Sequence, residues 1–209
     1  MTQSASTAQL AAERNRSFEL GTKLELMDGE LSVTGALFRV EKTNPRTTDA
    51  AGTQVTEGLI RVEGVELGAT GRLSPQWEVF AGYTFLDARI VESPQVGTGS
   101  DAGIAAQGKT APNAPRHNAT VWTTYRLTPA WELGGGAQFA SERWLNNYET
   151  AKVDGYTRWD ATVAYLQKSW ELRLNLQNLT DAVYFEASSA GRATPVRGRT
   201  ALVSALLRF

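Results

Sequence analysis

In most of the extended stretches of this chain, one face carries no charge while the other is studded with it, and few folds accommodate such a split. Read at every second residue, the first face runs Phe18, Leu20, Thr22, Leu24, Leu26, then Val65, Leu67, Ala69, Gly71, Leu73, then Trp77, Val79, Ala81, Tyr83, Phe85. It continues Val121, Thr123, Tyr125, Leu127; Trp131, Leu133, Gly135, Ala137, Phe139; Trp159, Ala161, Val163, Tyr165; and Trp170, Leu172, Leu174, Leu176. The opposite face holds Glu19, Lys23, Glu25, Glu66, Arg72, Glu78, Arg126, Glu132, Arg158, Asp160, Glu171, Arg173 and Arg208. A period of two is that of a strand. A surface without charge is what lipid demands, because Lys or Arg at the bilayer midplane costs about 2–4 kcal/mol. A soluble sandwich also alternates, so the split alone leaves both open. In the second stretch Leu31, Val33 and Leu37 share a face while Phe38 and Val40 take the other, and a bulge after Leu37 would account for the switch.

Nine strands are expected, over 17–26, 31–40, 59–73, 77–90, 117–127, 131–143, 156–166, 170–179 and 199–209. Their connections alternate between short and long. Met27-Asp28-Gly29-Glu30, Ser74-Pro75-Gln76, Thr128-Pro129-Ala130 and Gln167-Lys168-Ser169 have tight-turn chemistry, and longer segments separate them. Outer-membrane barrels have this asymmetry, with short periplasmic turns and long extracellular loops. Trp77-Glu78, Trp131-Glu132 and Trp170-Glu171 each open a strand directly after a short turn. A repeated outward Trp at one depth reads as an interfacial aromatic girdle.

The chain ends Ala201-Leu202-Val203-Ser204-Ala205-Leu206-Leu207-Arg208-Phe209, with Val203, Ala205, Leu207 and Phe209 on one face. Chain ends are ordinarily frayed and polar, whereas the last strand of a barrel must close the wall, and an aromatic suits the lipid boundary. Composition agrees. No run of 18 apolar residues exists for a spanning helix, and a mean hydropathy of −0.30 is compatible with lipid contact at alternate positions only. There are no cysteines, which removes disulfide and thiolate-metal frameworks, and the net charge of −1 argues against a nucleic-acid partner. Residues 1–15 have no apolar core of a secretory signal, so a longer parent protein is expected.

Enzyme chemistry has little support. The single histidine, His117, opens a strand beside Arg116, a place where a structural role is the commoner one, and no Ser-His-carboxylate spacing stands out. The lumen-face carboxylates read as partners for Arg72, Arg126, Arg158 and Arg173. Gly134-Gly135-Gly136 lies inside an alternating strand, where glycine allows close approach or curvature rather than phosphate binding.

Several segments carry a family resemblance. Ser17-Phe18-Glu19-Leu20-Gly21-Thr22-Lys23, Ala36-Leu37-Phe38-Arg39-Val40-Glu41-Lys42-Thr43-Asn44, Val62-Glu63-Gly64-Val65-Glu66-Leu67 and Gly82-Tyr83-Thr84-Phe85-Leu86-Asp87-Ala88 resemble consecutive barrel strands of TonB-dependent outer-membrane siderophore receptors. Pro115-Arg116-His117 resembles the opening of a further strand. Asn175, Asn178, Leu179, Asp181 and Tyr184 are similar to the family's N-x-x-N-L-x-D-x-x-Y signature, and Arg199-Thr200 through Phe209 to its closing strand.

The resemblance implies an all-β, antiparallel up-and-down transmembrane barrel of about 22 strands, of which 17–209 would be the C-terminal nine. Residues 1–16 would be an irregular loop segment of the parent barrel, with the plug domain absent. It implies outer-membrane lipid, a ferric siderophore, the TonB complex (through the missing N-terminal region) and the barrel assembly machinery, which would read the strand ending at Phe209, as partners. No cofactor is implied, since iron arrives as cargo inside its chelator. The chain alone is expected to be an inactive fragment. Arg116, Trp144, Tyr148, Tyr184, Phe185 and Arg192 are the ligand-contact candidates, because cations and aromatic rings suit anionic or aromatic chelates. A small standalone outer-membrane barrel with a structural or adhesion role, and a soluble β-sandwich binding module, are the other readings.

Overall fold

A computed structural model describes residues 10–187 and 192–209. Nine strands form one antiparallel sheet: β1 (Arg14–Leu26), β2 (Leu31–Thr43), β5 (Leu59–Ser74), β6 (Trp77–Glu92), β7 (His117–Arg126), β8 (Trp131–Ala140), β11 (Tyr156–Leu166), β12 (Trp170–Gln177) and β15 (Thr200–Leu207), each paired with its neighbour in that order. The long connections carry three two-stranded ribbons: β3 (Arg46–Thr48) with β4 (Gln54–Thr56), β9 (Arg143–Trp144) with β10 (Lys152–Val153), and β13 (Phe185–Ala187) with β14 (Ala193–Pro195). Among the described residues no second layer covers the sheet, so the sandwich reading falls.

Nine alternating strands leave β1 and β15 running in the same direction, so the two edges cannot pair antiparallel with each other. The sheet is an open wall rather than a closed barrel.

Cross-strand register joins the charge-free positions into continuous rows. One row runs Leu24, Val33, Ala69, Ala81, Val121, Ala137, Trp159, and another Tyr125, Leu133, Val163, Leu174, Val203. Where the strands turn, Trp77 meets Tyr125 edge-on at 6.5 Å, Trp131 lies 4.7 Å from Tyr165, and Tyr165 lies 5.4 Å from Trp170. The three tryptophans thus each meet a tyrosine ring at the short-turn end. The glutamate after each points to the other face and finds arginine there. Glu78 pairs with Arg72, Glu132 with Arg126 and Arg173, and Glu171 with Arg173 and Arg208.

Four expectations need correction. No bulge follows Leu37, since the register of β2 is unbroken against both β1 and β5. Phe38 and Val40 face the lumen, while beyond Leu37 the outward face turns charged, with Arg39 paired to Glu63 and Glu41 to Arg61. That change marks the end of the apolar band. Second, strand β1 starts at Arg14, inside the segment expected to be irregular; 10–13 lack regular structure, and 1–9 lie outside the described residues. Third, the β8 ladder ends at Ala140, because Arg143 and Trp144 pair with β10 instead. Fourth, β15 ends at Leu207, opposite the first residue of β12, so Phe209 follows the last strand exposed rather than lying within it.

The glycine triplet has a packing explanation. Trp122 faces the lumen opposite Gly136, and a Cβ built there would lie 2.7 Å from Trp122 Cε3 and 2.1 Å from the Val121 carbonyl oxygen. The ring occupies the space that a side chain would take, much as aromatic side chains cover glycines in other sheets. Phe38 covers Gly64 in the same way, its Cζ 2.5 Å from the corresponding Cβ position. Gly136→Val should therefore cost about 1–3 kcal/mol through overpacking and lower the yield of heat-modifiable protein. Gly135→Ala, whose Cβ would come no nearer than 3.5 Å to Asp160 O, should leave that yield near wild type.

Candidate functional site

The long-loop end of the wall assembles a cleft of about 320 Å³. Its floor is the last part of β6, Leu86 to Arg89. One side is the returning segment with Thr110, Ala114, Arg116 and His117, and the other is Ser141, Glu142, Arg143 and Trp144. Arg116 lies over the Phe85 ring at 5.4 Å. Arg89 is paired with Asp87 at 2.9 Å. Arg143 reaches the Phe185 carbonyl oxygen at 3.4 Å and has no carboxylate partner among the described residues. The cleft is therefore lined by three guanidinium groups against two carboxylates, and Glu142 is drawn off by Lys152 at 2.7 Å.

The six candidate residues do not all gather here. Arg116 and Trp144 line this cleft, although one face of Trp144 is already covered by the Lys152 ammonium at 5.8 Å. Phe185 is half-exposed and borders a neighbouring cleft of about 350 Å³ with Lys152, Val153, Asp154 and Val183. Tyr148 sits half-buried between two loops, where burial first, and then the charge of Asp101, push its hydroxyl pKa up. Arg192 is exposed just before β14.

Tyr184 is the exception. It is 5 % exposed, stacks on Tyr156 at 4.1 Å and accepts a hydrogen bond from Arg158 at 3.5 Å. Its ring is packed against Tyr156 and so supports the wall, although Tyr184 also borders the cleft of Phe185.

The signature residues explain that burial. Asn178 is 1 % exposed and left-handed, with φ of 54°. Its N–H donates to Asp160 Oδ1 (2.8 Å), its Oδ1 accepts from Ala182 N (2.9 Å), and its Nδ2 donates to the Ala182 carbonyl oxygen (3.0 Å). Asp160 also holds Arg158 at 2.7 Å, and Asp181 Oδ1 accepts from Arg199 N at 2.6 Å. Asn and Asp tolerate the left-handed region that both turns use. Asn175 Oδ1 accepts from the Thr162 hydroxyl at 3.0 Å, and Leu179 N–H donates to Trp159 O at 2.8 Å. The motif is thus the polar knot by which the chain leaves β12 and enters β15.

His117 belongs to the outer wall. Its Nδ1 lies 2.8 Å from Tyr83 Oη, and its ring stacks near Tyr83 and Phe85. Sequence reading missed Arg143, Glu149 and Lys152, which come from loops without periodicity. The one available signal was their closeness to Trp144 and Tyr148 along the chain.

An open antiparallel wall with a band of uncharged outward positions, aromatic rings clustered at the short-turn end and charged clefts under long loops is the wall of an outer-membrane β-barrel. The chain belongs to the TonB dependent receptor-like β-barrel family, whose profile matches residues 1–179. It is 34% identical over 210 residues to the probable TonB-dependent siderophore receptor PiuA of Acinetobacter baumannii, covering 98% of this chain and 28% of that protein. It is 29% identical over 213 residues to the catecholate siderophore receptor Fiu of Escherichia coli K12, covering 99% and 27%. The crystal structure of the PiuA receptor superposes with a TM-score of 0.87 at 35% identity, over 98% of this chain and 30% of that one. The chain thus spans between a quarter and a third of the length of these relatives.

Proposed function

We propose that this chain is the C-terminal barrel portion of a TonB-dependent receptor that imports ferric siderophores across the outer membrane. The observation that carries this reading is the match of the whole wall to this family, with a TM-score of 0.87 to the PiuA receptor; at its loop end lies the cleft where Arg116 and Arg143 flank Trp144. Guanidinium groups there would pair with the negative charge of a ferric chelate, and the exposed ring surface would meet its aromatic groups. Fiu is by name a catecholate receptor, which favours catecholate cargo. Iron would travel inside the chelator, so the wall supplies contacts to the chelator and not ligands to the metal. Energised release would need the plug and the TonB-contacting segment, neither of which the sheet contains. The long loops would carry the ligand contacts and the lumen belt of Arg and Glu would face the plug.

The test is a chimera in which residues 1–209 replace the matching barrel region of the PiuA receptor, expressed in a receptor-deficient strain. It should restore TonB-dependent uptake of a ferric catecholate, while the chain alone behind a signal peptide should not. The Arg116→Ala/Arg143→Ala chimera should bind the chelate at least about tenfold more weakly, as expected for losing charge-assisted contacts. Uptake by the chain alone, or unchanged binding in the double variant, would overturn the proposal.

A further inference from the structure

We propose that Glu149 is a specificity-determining positioning residue, which fixes the width of the cleft by clipping the loop that carries Arg143 and Trp144 onto the loop that carries Arg116. This rests on the reading of that cleft as the chelate site.

The loop after β6 is not free over its returning half. Gly108 N donates to Ile90 O (2.7 Å), Ile90 N to Lys109 O (2.8 Å) and Ala111 N to Ala88 O (3.0 Å). Ala88, Ile90 and Ala106 are all buried beneath it. Segment 108–111 is thereby laid against β6 as a short extension of the wall, and it places Arg116 a few residues further on.

Beyond Ser141, whose N donates to His117 O at 2.9 Å, the loop after β8 has no comparable backbone attachment to the wall among the described residues. Its ribbon, β9 with β10, pairs only two residues from each side. What holds it is a set of links across to the first loop. Glu149 Oε1 accepts from Thr110 N at 2.8 Å, and Oε2 lies 3.4 Å from Lys109 Nζ. Asn147 Nδ2 donates to Gln95 Oε1 (2.6 Å), the Thr150 hydroxyl to Asp101 Oδ1 (2.7 Å), and Asn113 N to the Trp144 carbonyl oxygen (2.8 Å).

Glu149 is the centre of this set for two reasons. It is the one link that brings a full charge to both a backbone N–H and an ammonium, and such hydrogen bonds are about twice as strong as neutral ones. Its backbone also stands at φ 58°, a left-handed conformation that non-glycine residues adopt at a cost. Asn146 holds that turn in place, its Oδ1 accepting from Tyr148 N (3.2 Å) and Thr150 N (3.3 Å). The turn aims the carboxylate at segment 108–111, whose Thr110 lines the cleft. Burial raises the Glu149 pKa, but the Thr110 donors and the Lys109 ammonium more than offset this, holding the carboxyl below its ordinary value. The groups facing it are Lys109 and Thr110 from the first loop; Asp101 faces Tyr148 and Thr150 rather than Glu149. With its folded pKa depressed, the clip is fully present above the ordinary glutamate range and is lost only as pH falls through the lower folded value.

The experiment uses the full-length chimera and two readouts. The first, without ligand, is hydrogen exchange of the Thr110 amide, which donates to Glu149. The second is binding and uptake of a defined probe, an iron(III) tris-catecholate complex. In Glu149→Ala the Thr110 amide should exchange at least about tenfold faster and the probe should bind about tenfold more weakly, with maximal uptake at saturating probe unchanged. Glu149→Gln keeps an acceptor for Thr110 but loses the charge facing Lys109, and should fall between Ala and wild type in both readouts. Unchanged Thr110 exchange in Glu149→Ala would overturn the clip. Faster exchange with unchanged probe binding, or reduced maximal uptake with unchanged binding, would overturn its role in the cleft. If the parent chimera binds no iron(III) tris-catecholate, the receptor reading of the cleft fails, and with it the specificity role, while Thr110 exchange still decides whether the clip exists.

Discussion

An arginine at Leu174 is expected to block assembly of the wall into the outer membrane, whereas an arginine at Asn175 is expected to leave a substantial inserted fraction. The two positions are adjacent but face opposite ways. Leu174 lies in the lipid row between Val163 and Val203, and Asn175 lies opposite Thr162 and Leu202 on the lumen face. Arginine in mid-bilayer costs about 2–4 kcal/mol, against a polar lumen face that already carries arginines and glutamates. At Asn175 the loss is the Thr162 hydrogen bond, of order 1 kcal/mol. Heat-modifiable protein in outer-membrane fractions of the full-length chimera is the measure. Equal damage at both positions would overturn the face assignment for the whole sheet, because register links every strand to this row.

The second large effect is expected at the polar knot. Asn178→Ala removes the side-chain hydrogen bonds to Ala182 N, Ala182 O and Arg197 O from a residue that is 1 % exposed, and forces a Cβ-bearing residue without Asn's local compensation into the left-handed region. Orphaned buried partners cost about 1–3 kcal/mol and the backbone about 1 kcal/mol more, so a loss near 3 kcal/mol is expected. Asn178→Gly restores the backbone but not the bonds and should recover only the smaller share. Asp160→Ala should be at least as harmful, since it leaves the half-buried Arg158 guanidinium without its carboxylate and removes the acceptor for Asn178 N. Thermal loss of heat-modifiability in the chimera would rank the three. If Asn178→Gly matched wild type, the knot would matter only as a turn.

Much of this architecture was legible because strand physics is local. Alternation at period two and turn chemistry in 27–30, 74–76, 128–130 and 167–169 place all nine wall strands and both faces. Each Trp-Glu start foretells one ring in the girdle and one carboxylate in the lumen. The ends were less legible, because a ladder stops where its partner stops. Trp170 limits β15 to Leu207, and nothing in residues 208–209 announces that. Phe38 misled for a related reason. A local switch of face suggests a bulge, but the lumen space above Gly64 is contributed by another strand.

The loop end is where sequence reasoning thinned. Arg116 and Trp144 could be nominated by residue type, yet their meeting depends on contacts such as Asn113 to Trp144 that span tens of residues. Tyr184 served in two readings, signature residue and ligand contact, and only its stack on Tyr156 separates them. The sequence by itself determined the uncharged face, the alternation of short turns and long loops, and the chemistry of the residues available to a ligand, because each of these is written in nearest-neighbour alternation and residue type. Tertiary structure alone decided which cations share a cleft, which aromatic rings are already occupied, and that two loops are clipped together through Glu149, because those distances are set by the register of strands far apart in the chain.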